Sequence, residues 1–151
     1  MNQTKLAAIA IATVLTISTP SFATDHQVQM LNKDSQGRAM QFEPAFLKIA
    51  VGDTVTFVPT DKGHNSESIP DLAPAGAEPW KGKMSEQITV TFDQEGFYGF
   101  KCLPHFGMGM VGLIQVGDSP TAPDMSKVKM PGKPQQRMME LMSEAGVAPA
   151  N

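Results

Sequence analysis

Between His26 and Gly117 the chain is cut into short runs of alternating apolar residues, and the cuts are made by glycine, aspartate and asparagine. Val28 and Met30 mark a first run, followed by a turn over Asn32 to Gly37. Ala45 to Ala50 is a second, closed by Gly52-Asp53. Thr54 to Pro59 places Val55, Phe57 and Pro59 on one side and Thr54, Thr56 and Val58 on the other. Ile88 to Phe92 alternates in the same way and ends at Gln94-Glu95-Gly96. Phe97 to Cys102 and Val111 to Val116 complete the set. A period of two in runs this short predicts strands, and many short strands with turn residues between them predict a sandwich or barrel. The stretch Asp61 to Ser85 has no period and is rich in Gly, Pro, Ser and charge. It is long for a loop, which predicts either a functional loop or short irregular strands.

The two ends read differently. Lys5 precedes an apolar run, Leu6 to Ile17, and Ser21 and Ala23 then occupy the minus-three and minus-one places of a cleavage site. A basic end, an apolar run and a small-residue site mark a secretory signal peptide. The run is shorter than the roughly 20 residues that cross a bilayer. Residues 1–23 are therefore expected to be removed, leaving residues 24–151 as one soluble domain in the periplasm with no membrane insertion. After Gly117, four prolines break up Asp118 to Pro134. Pro134 to Ala145 then reads as a helix, with Pro134 in its first turn, Gly146 past its end, and Met138, Leu141, Met142 and Ala145 in one apolar stripe. Residues 118–151 are thus a helical tail, with Met125 on a shorter helix before it, and its methionines are expected to pack rather than to bind metal. The formal net charge is −3, and the leader carries only Lys5. An acidic mature chain excludes nucleic acid as a partner.

Cys102 is the only cysteine. In an exported chain it can form no internal disulfide, so it is buried, reactive, paired elsewhere or bound to metal. Its neighbours favour metal. Phe100-Lys101-Cys102-Leu103-Pro104-His105-Phe106-Gly107-Met108-Gly109-Met110 lies between two predicted strands. A tight loop there can turn Cys102, His105 and a methionine toward one point. Thiolate, imidazole and thioether are soft donors that suit copper better than magnesium or calcium. A fourth donor must come from elsewhere. His26 lies near the expected mature N-terminus; His64, in Lys62-Gly63-His64-Asn65, is the better candidate.

The run Gly52-Asp53-Thr54-Val55-Thr56-Phe57, then Asp61-Lys62-Gly63-His64-Asn65, then Cys102-Leu103-Pro104-His105 with Met110 eight beyond the cysteine, resembles the cupredoxin superfamily of type 1 blue copper proteins. Within it the chain resembles the pseudoazurins over nearly its whole mature length, including Met30-Leu31-Asn32-Lys33, Val116-Gly117-Asp118-Ser119-Pro120 and the helical tail. One departure lies near the start, where the turn before Met40 is a residue longer.

The resemblance implies a mainly β fold, an eight-stranded cupredoxin-like Greek-key sandwich with a helical C-terminal extension. It implies one copper ion held by His64, Cys102, His105 and Met110, with Met110 rather than Met108 as the axial donor. It implies that the Asn65 backbone N–H bonds the Cys102 sulfur while its side chain ties the two ligand loops together. Pro104, having no N–H, cannot donate to that sulfur. Four protein donors leave no open position for a substrate, unlike a catalytic metal site, so an electron carrier is expected and not an enzyme. Met40, Pro104, Phe106, Gly107 and Met108 would form an apolar docking patch around His105. Lys33, Lys62, Lys81, Lys83 and Lys101 would ring it and steer acidic partners. The resemblance points to a copper nitrite reductase or cytochromes of denitrification as partners of a monomer. Two other readings remain open at this stage: a carrier that delivers copper, and a secreted Cys-His hydrolase.

Overall fold

The computed structural model describes residues 22–130 and 132–148. Nearly all of the expected leader, residues 1–21, and Pro131 lie outside the described residues. Eight strands form: β1 Asp25–Lys33, β2 Ala39–Glu43, β3 Phe46–Ile49, β4 Thr54–Val58, β5 Glu67–Ile69, β6 Ile88–Thr91, β7 Gly96–Lys101 and β8 Val111–Val116. They build two four-stranded sheets, in the orders β2-β1-β4-β6 and β3-β8-β7-β5. Two contacts are parallel, β1 with β4 and β3 with β8, and the others are antiparallel. The sandwich expected from the alternating runs is therefore present.

One segment differs from the sequence reading, and another takes both of the forms that reading left open. The turn expected at Asn32 to Gly37 begins later, because β1 continues through Lys33 and pairs that residue with Ala39. The partner strand β2 has no alternation that would reveal it. Gln41 and Phe42 are both buried, and Met40 sits at φ 51°, outside the extended region. In Asp61 to Ser85 both alternatives hold: the stretch contains β5 and a 3-10 turn at Pro70–Leu72, and it also carries His64.

The core between the sheets is aromatic. Phe100 meets Phe42 at 4.8 Å and Phe57 at 5.0 Å between ring centroids, both edge to face. Trp80, Phe92 and Tyr98 continue the cluster. Such pairs add about 0.5–1.5 kcal/mol each beyond the area they bury. The Phe100 ring fits because its cross-strand neighbour is Gly112; a Cβ there would stand 2.1 Å from the ring.

The tail closes one face. A 3-10 turn at Met125–Lys127 precedes the helix α1, Lys133–Glu144. Met138, Leu141 and Met142 are fully buried, and Ala145 packs beside them. Past the helix Gly146 takes φ 74°, its N–H donates to Ser143 O and that of Val147 to Met142 O, a Schellman cap. This helix rests on β8 and on the turn at Phe106–Met108. No helix among the described residues is long and apolar enough to cross a membrane.

At one end of the sandwich, Asp53 gathers the first strand. Its carboxylate accepts from Thr24 N at 2.8 Å, Ala50 N at 3.0 Å and His26 Nε2 at 2.9 Å. These donors hold the carboxyl below its ordinary range, the Thr24 N–H first and His26 next. The bond to Asp53 gives His26 a structural place, apart from His64 and His105.

Candidate metal centre

Two separate loops meet beneath the opposite end. The first, between β4 and β5, carries His64, which is fully buried. Gly63 N donates to Ser85 Oγ at 2.9 Å, and Ser85 N donates to His64 O at 2.8 Å. The second loop joins β7 to β8. The Cys102 N–H donates to Met110 O at 3.0 Å, which extends the ladder one step past Lys101 and Val111. Between them the chain makes one 3-10 turn, Phe106–Met108, closed by Gly109 at φ 91°. That left-handed residue suits glycine, and it returns Met110 to the sheet.

The result brings three donor atoms together. Cys102 Sγ lies 3.7 Å from His64 Nδ1 and 3.5 Å from His105 Nδ1, and the two nitrogens are 3.1 Å apart. Donors bonded to one metal at about 2.0–2.3 Å keep separations of this order. Among the described residues these three are the group of His, Cys, Asp and Glu able to hold a metal ion. Met110 follows on the same loop with no exposed surface, whereas Met108 is about half exposed. Sulfur and imidazole donors suit copper.

Protonation supports the fit. His64 Nε2 meets Asn32 Oδ1 at 2.9 Å. An amide oxygen only accepts, so Nε2 carries the proton and Nδ1 presents its lone pair to the site. Burial, and then the neighbouring His105, lower the pKa of His64, keeping it neutral as a metal ligand must be. Burial pushes the Cys102 thiol up, while backbone N–H groups of Asn65 and His105 pull the other way and the Glu67 charge adds to the rise. An entering cation reverses that preference for the thiol, since a coordinated thiol loses its proton.

Asn65 joins the two loops. Its Oδ1 accepts from Leu103 N at 2.8 Å, and its Nδ2 donates to Glu67 Oε1 at 3.0 Å and to Gly82 O at 3.1 Å. Pro104 is exposed beside it, and His105 and Phe106 are half-buried. Lys33, Lys62, Lys81 and Lys83 are exposed. Two of them have acidic company, Lys81 with Glu67 at 3.9 Å and Lys83 with Glu86 at 3.8 Å. Lys101 Nζ lies 5.2 Å over the Phe106 ring. Met40 is half-buried against the core.

Sequence reasoning missed Asn32 and Glu67. It also missed Leu103 and Met84, both nearly half exposed. Leu103 was visible as an apolar residue in the ligand loop. Asn32 gave no signal, since its partner lies 32 positions away.

The family model for copper binding proteins of the plastocyanin/azurin family matches residues 28–117. A pseudoazurin of Paracoccus pantotrophus is 52% identical over 132 residues, which is 87% of this chain and 90% of that protein. The crystal structure of native pseudoazurin from Hyphomicrobium denitrificans superposes with a TM-score of 0.74 at 42% identity, covering 80% of this chain and 97% of that one. A pseudoazurin structure from Sinorhizobium gives 0.77 at 47% identity, covering 81% and 96%. With relatives this near along most of its length, and a thiol and two imidazoles already facing one another, the chain belongs to the plastocyanin/azurin family and within it to the pseudoazurins, copper proteins that carry electrons and are not enzymes.

Proposed function

We propose that residues 24–151 form a periplasmic carrier that takes one electron from a donor and passes it to a copper nitrite reductase or a cytochrome in denitrification. His64, Cys102, His105 and Met110 hold the copper. The observation that carries this reading is the convergence of Cys102 Sγ and two imidazole nitrogens within 3.7 Å. When bound, copper supplies a one-electron couple between Cu(I) and Cu(II).

The chain's own residues supply the rest. Asn32 and Asn65 fix the two loops, which limits how far the donors move between oxidation states. Burial of His64, Cys102 and Met110 keeps water from the site. His105 is the more open of the two imidazoles, and its outer edge is where a redox partner can approach. Leu103, Pro104 and Met108 are exposed beside it, an apolar rim suited to brief contact. The lysines around that rim favour a partner with an acidic face.

Adding Cu(II) to the purified apoprotein tests the reading. An intense visible band from Cys102-to-copper charge transfer is expected, and C102S should abolish it. A colourless solution would defeat the proposal. The steering by lysines predicts that the bimolecular electron-transfer rate falls as salt rises; a salt-independent rate with the nitrite reductase would remove that partner or that surface. Mass spectrometry of the exported protein tests the start at Thr24.

A further inference from the structure

Glu67 is a charged residue in a place where charge is costly. Its side chain is only 10% exposed, and it opens β5 directly opposite Lys101, the residue before Cys102. Two groups meet its carboxylate. Asn65 Nδ2 donates to it at 3.0 Å, and Lys81 Nζ lies 3.9 Å away on a side chain that is 76% exposed. The backbones of Glu67 and Lys81 also form an isolated bridge.

We propose that Glu67 tunes the copper site in two ways: it fixes the orientation of the Asn65 amide, and it sets a buried negative charge close to the two ligand loops that lowers the reduction potential, with Lys81 as its exposed counter-charge. This rests on the reading of the chain as a copper electron carrier. The first role follows from the donors and acceptors. Glu67 and Gly82 O take the Asn65 amide nitrogen, so its oxygen is left to face Leu103 N. A flipped amide would set oxygen against carboxylate and NH₂ against N–H. The second role follows from charge. The oxidised site carries one positive charge more than the reduced one, so a nearby anion favours oxidation. Glu67 pairs across β5 and β7 with Lys101, one residue before Cys102, and its partner Asn65 follows His64 directly, so its carboxylate lies close to both ligand loops. Lys81 compensates incompletely, because an exposed ammonium is screened by water and salt.

The two roles separate by substitution. Glu67→Gln keeps an acceptor for Asn65 and removes the charge. Glu67→Ala removes both. Lys81→Gln removes the counter-charge at the surface. Voltammetry of the copper-loaded variants should show E67Q raised and K81Q lowered relative to the parent, with the visible band of E67Q retained. Hydrogen exchange of the Leu103 amide, measured on the apoprotein, should stay slow in E67Q and become faster in E67A. Unchanged potentials in both E67Q and K81Q, or shifts of the same sign, would overturn the charge role. Unchanged Leu103 exchange in E67A would overturn the orienting role. Should E67A not fold, E67Q and K81Q still decide the charge role, and Leu103 exchange in Glu67→Leu tests the other. A parent protein that takes up no copper is a different failure: it sinks the electron-carrier reading and leaves the exchange experiment standing.

Discussion

The oxygen that receives the proton of His64 Nε2 belongs to Asn32, in β1. Asn32 is held in turn through its own N–H, which donates to Asp61 Oδ2 at 2.7 Å. A group that fixes the tautomer of a ligating histidine is worth roughly 10–100-fold in metal affinity. Asn32→Ala should therefore weaken copper binding by about that factor, read by competition with a chelator, while the fold melts near its original temperature. Pro104 offers a second test. The backbone N–H groups of Asn65 and His105 favour the charged form of Cys102, and Pro104 contributes none. Pro104→Ala adds a possible donor, favours the electron-rich reduced site, and should raise the reduction potential; an unchanged or lower value by voltammetry would show that the new N–H points elsewhere. At this scale the sequence spoke unevenly. His64, Cys102 and His105 were legible because their residue types and places in the chain carry chemistry, whereas the choice of Met110 over Met108 came from the family resemblance. Asn32 and Glu67 were silent, because an Asn at a strand end and a Glu in a polar stretch are ordinary until tertiary contacts pair them.

Elements were legible where a short apolar-rich run lies between turn residues. β8 spans the very residues the pattern marked, and β4 differs from its expected range by one residue. β2 was missed because Met40 leaves the extended region and interrupts the period. α1 was legible from its stripe and its Gly146 cap, and it reaches the site indirectly, by packing on β8 and the turn at Phe106–Met108. Leu141→Ala empties a fully buried position. It should cost about 2–5 kcal/mol in chemical denaturation, and it should also speed copper loss, since α1 packs on the turn that lies within the ligand loop. On the sheet, Gly112→Ala sets a methyl group into the Phe100 ring. Overpacking of this kind costs about 1–3 kcal/mol, and here it should disturb β7 and β8 just before they deliver Cys102 and Met110.

The whole molecule has a metal site at one end and the Asp53 junction at the other. Asp53→Asn should destabilise the fold by about 1–3 kcal/mol, the cost of weakening bonds to a buried charged acceptor. Its pH dependence has a defined sign. The folded carboxyl has a lowered pKa, so its contribution is complete above the unfolded carboxylate value and disappears as pH falls through the folded one. The stability gap between parent and D53N, from urea titrations at a series of pH values, should therefore close on the acid side.

That same junction would give removal of the proposed leader a physical consequence. With residue 23 attached, Thr24 N is an amide that donates to Asp53 Oδ1. Cleavage after Ala23, as proposed, would turn it into a free ammonium group, so an enzyme that removed the leader would also create an ion pair. The precursor and the mature protein would then differ in stability by more than the loss of a tail. A mature chain with Thr24 acetylated should melt below the unblocked one, and D53N should erase the difference. Trimming would then lock one end of the sandwich as metal uptake locks the other.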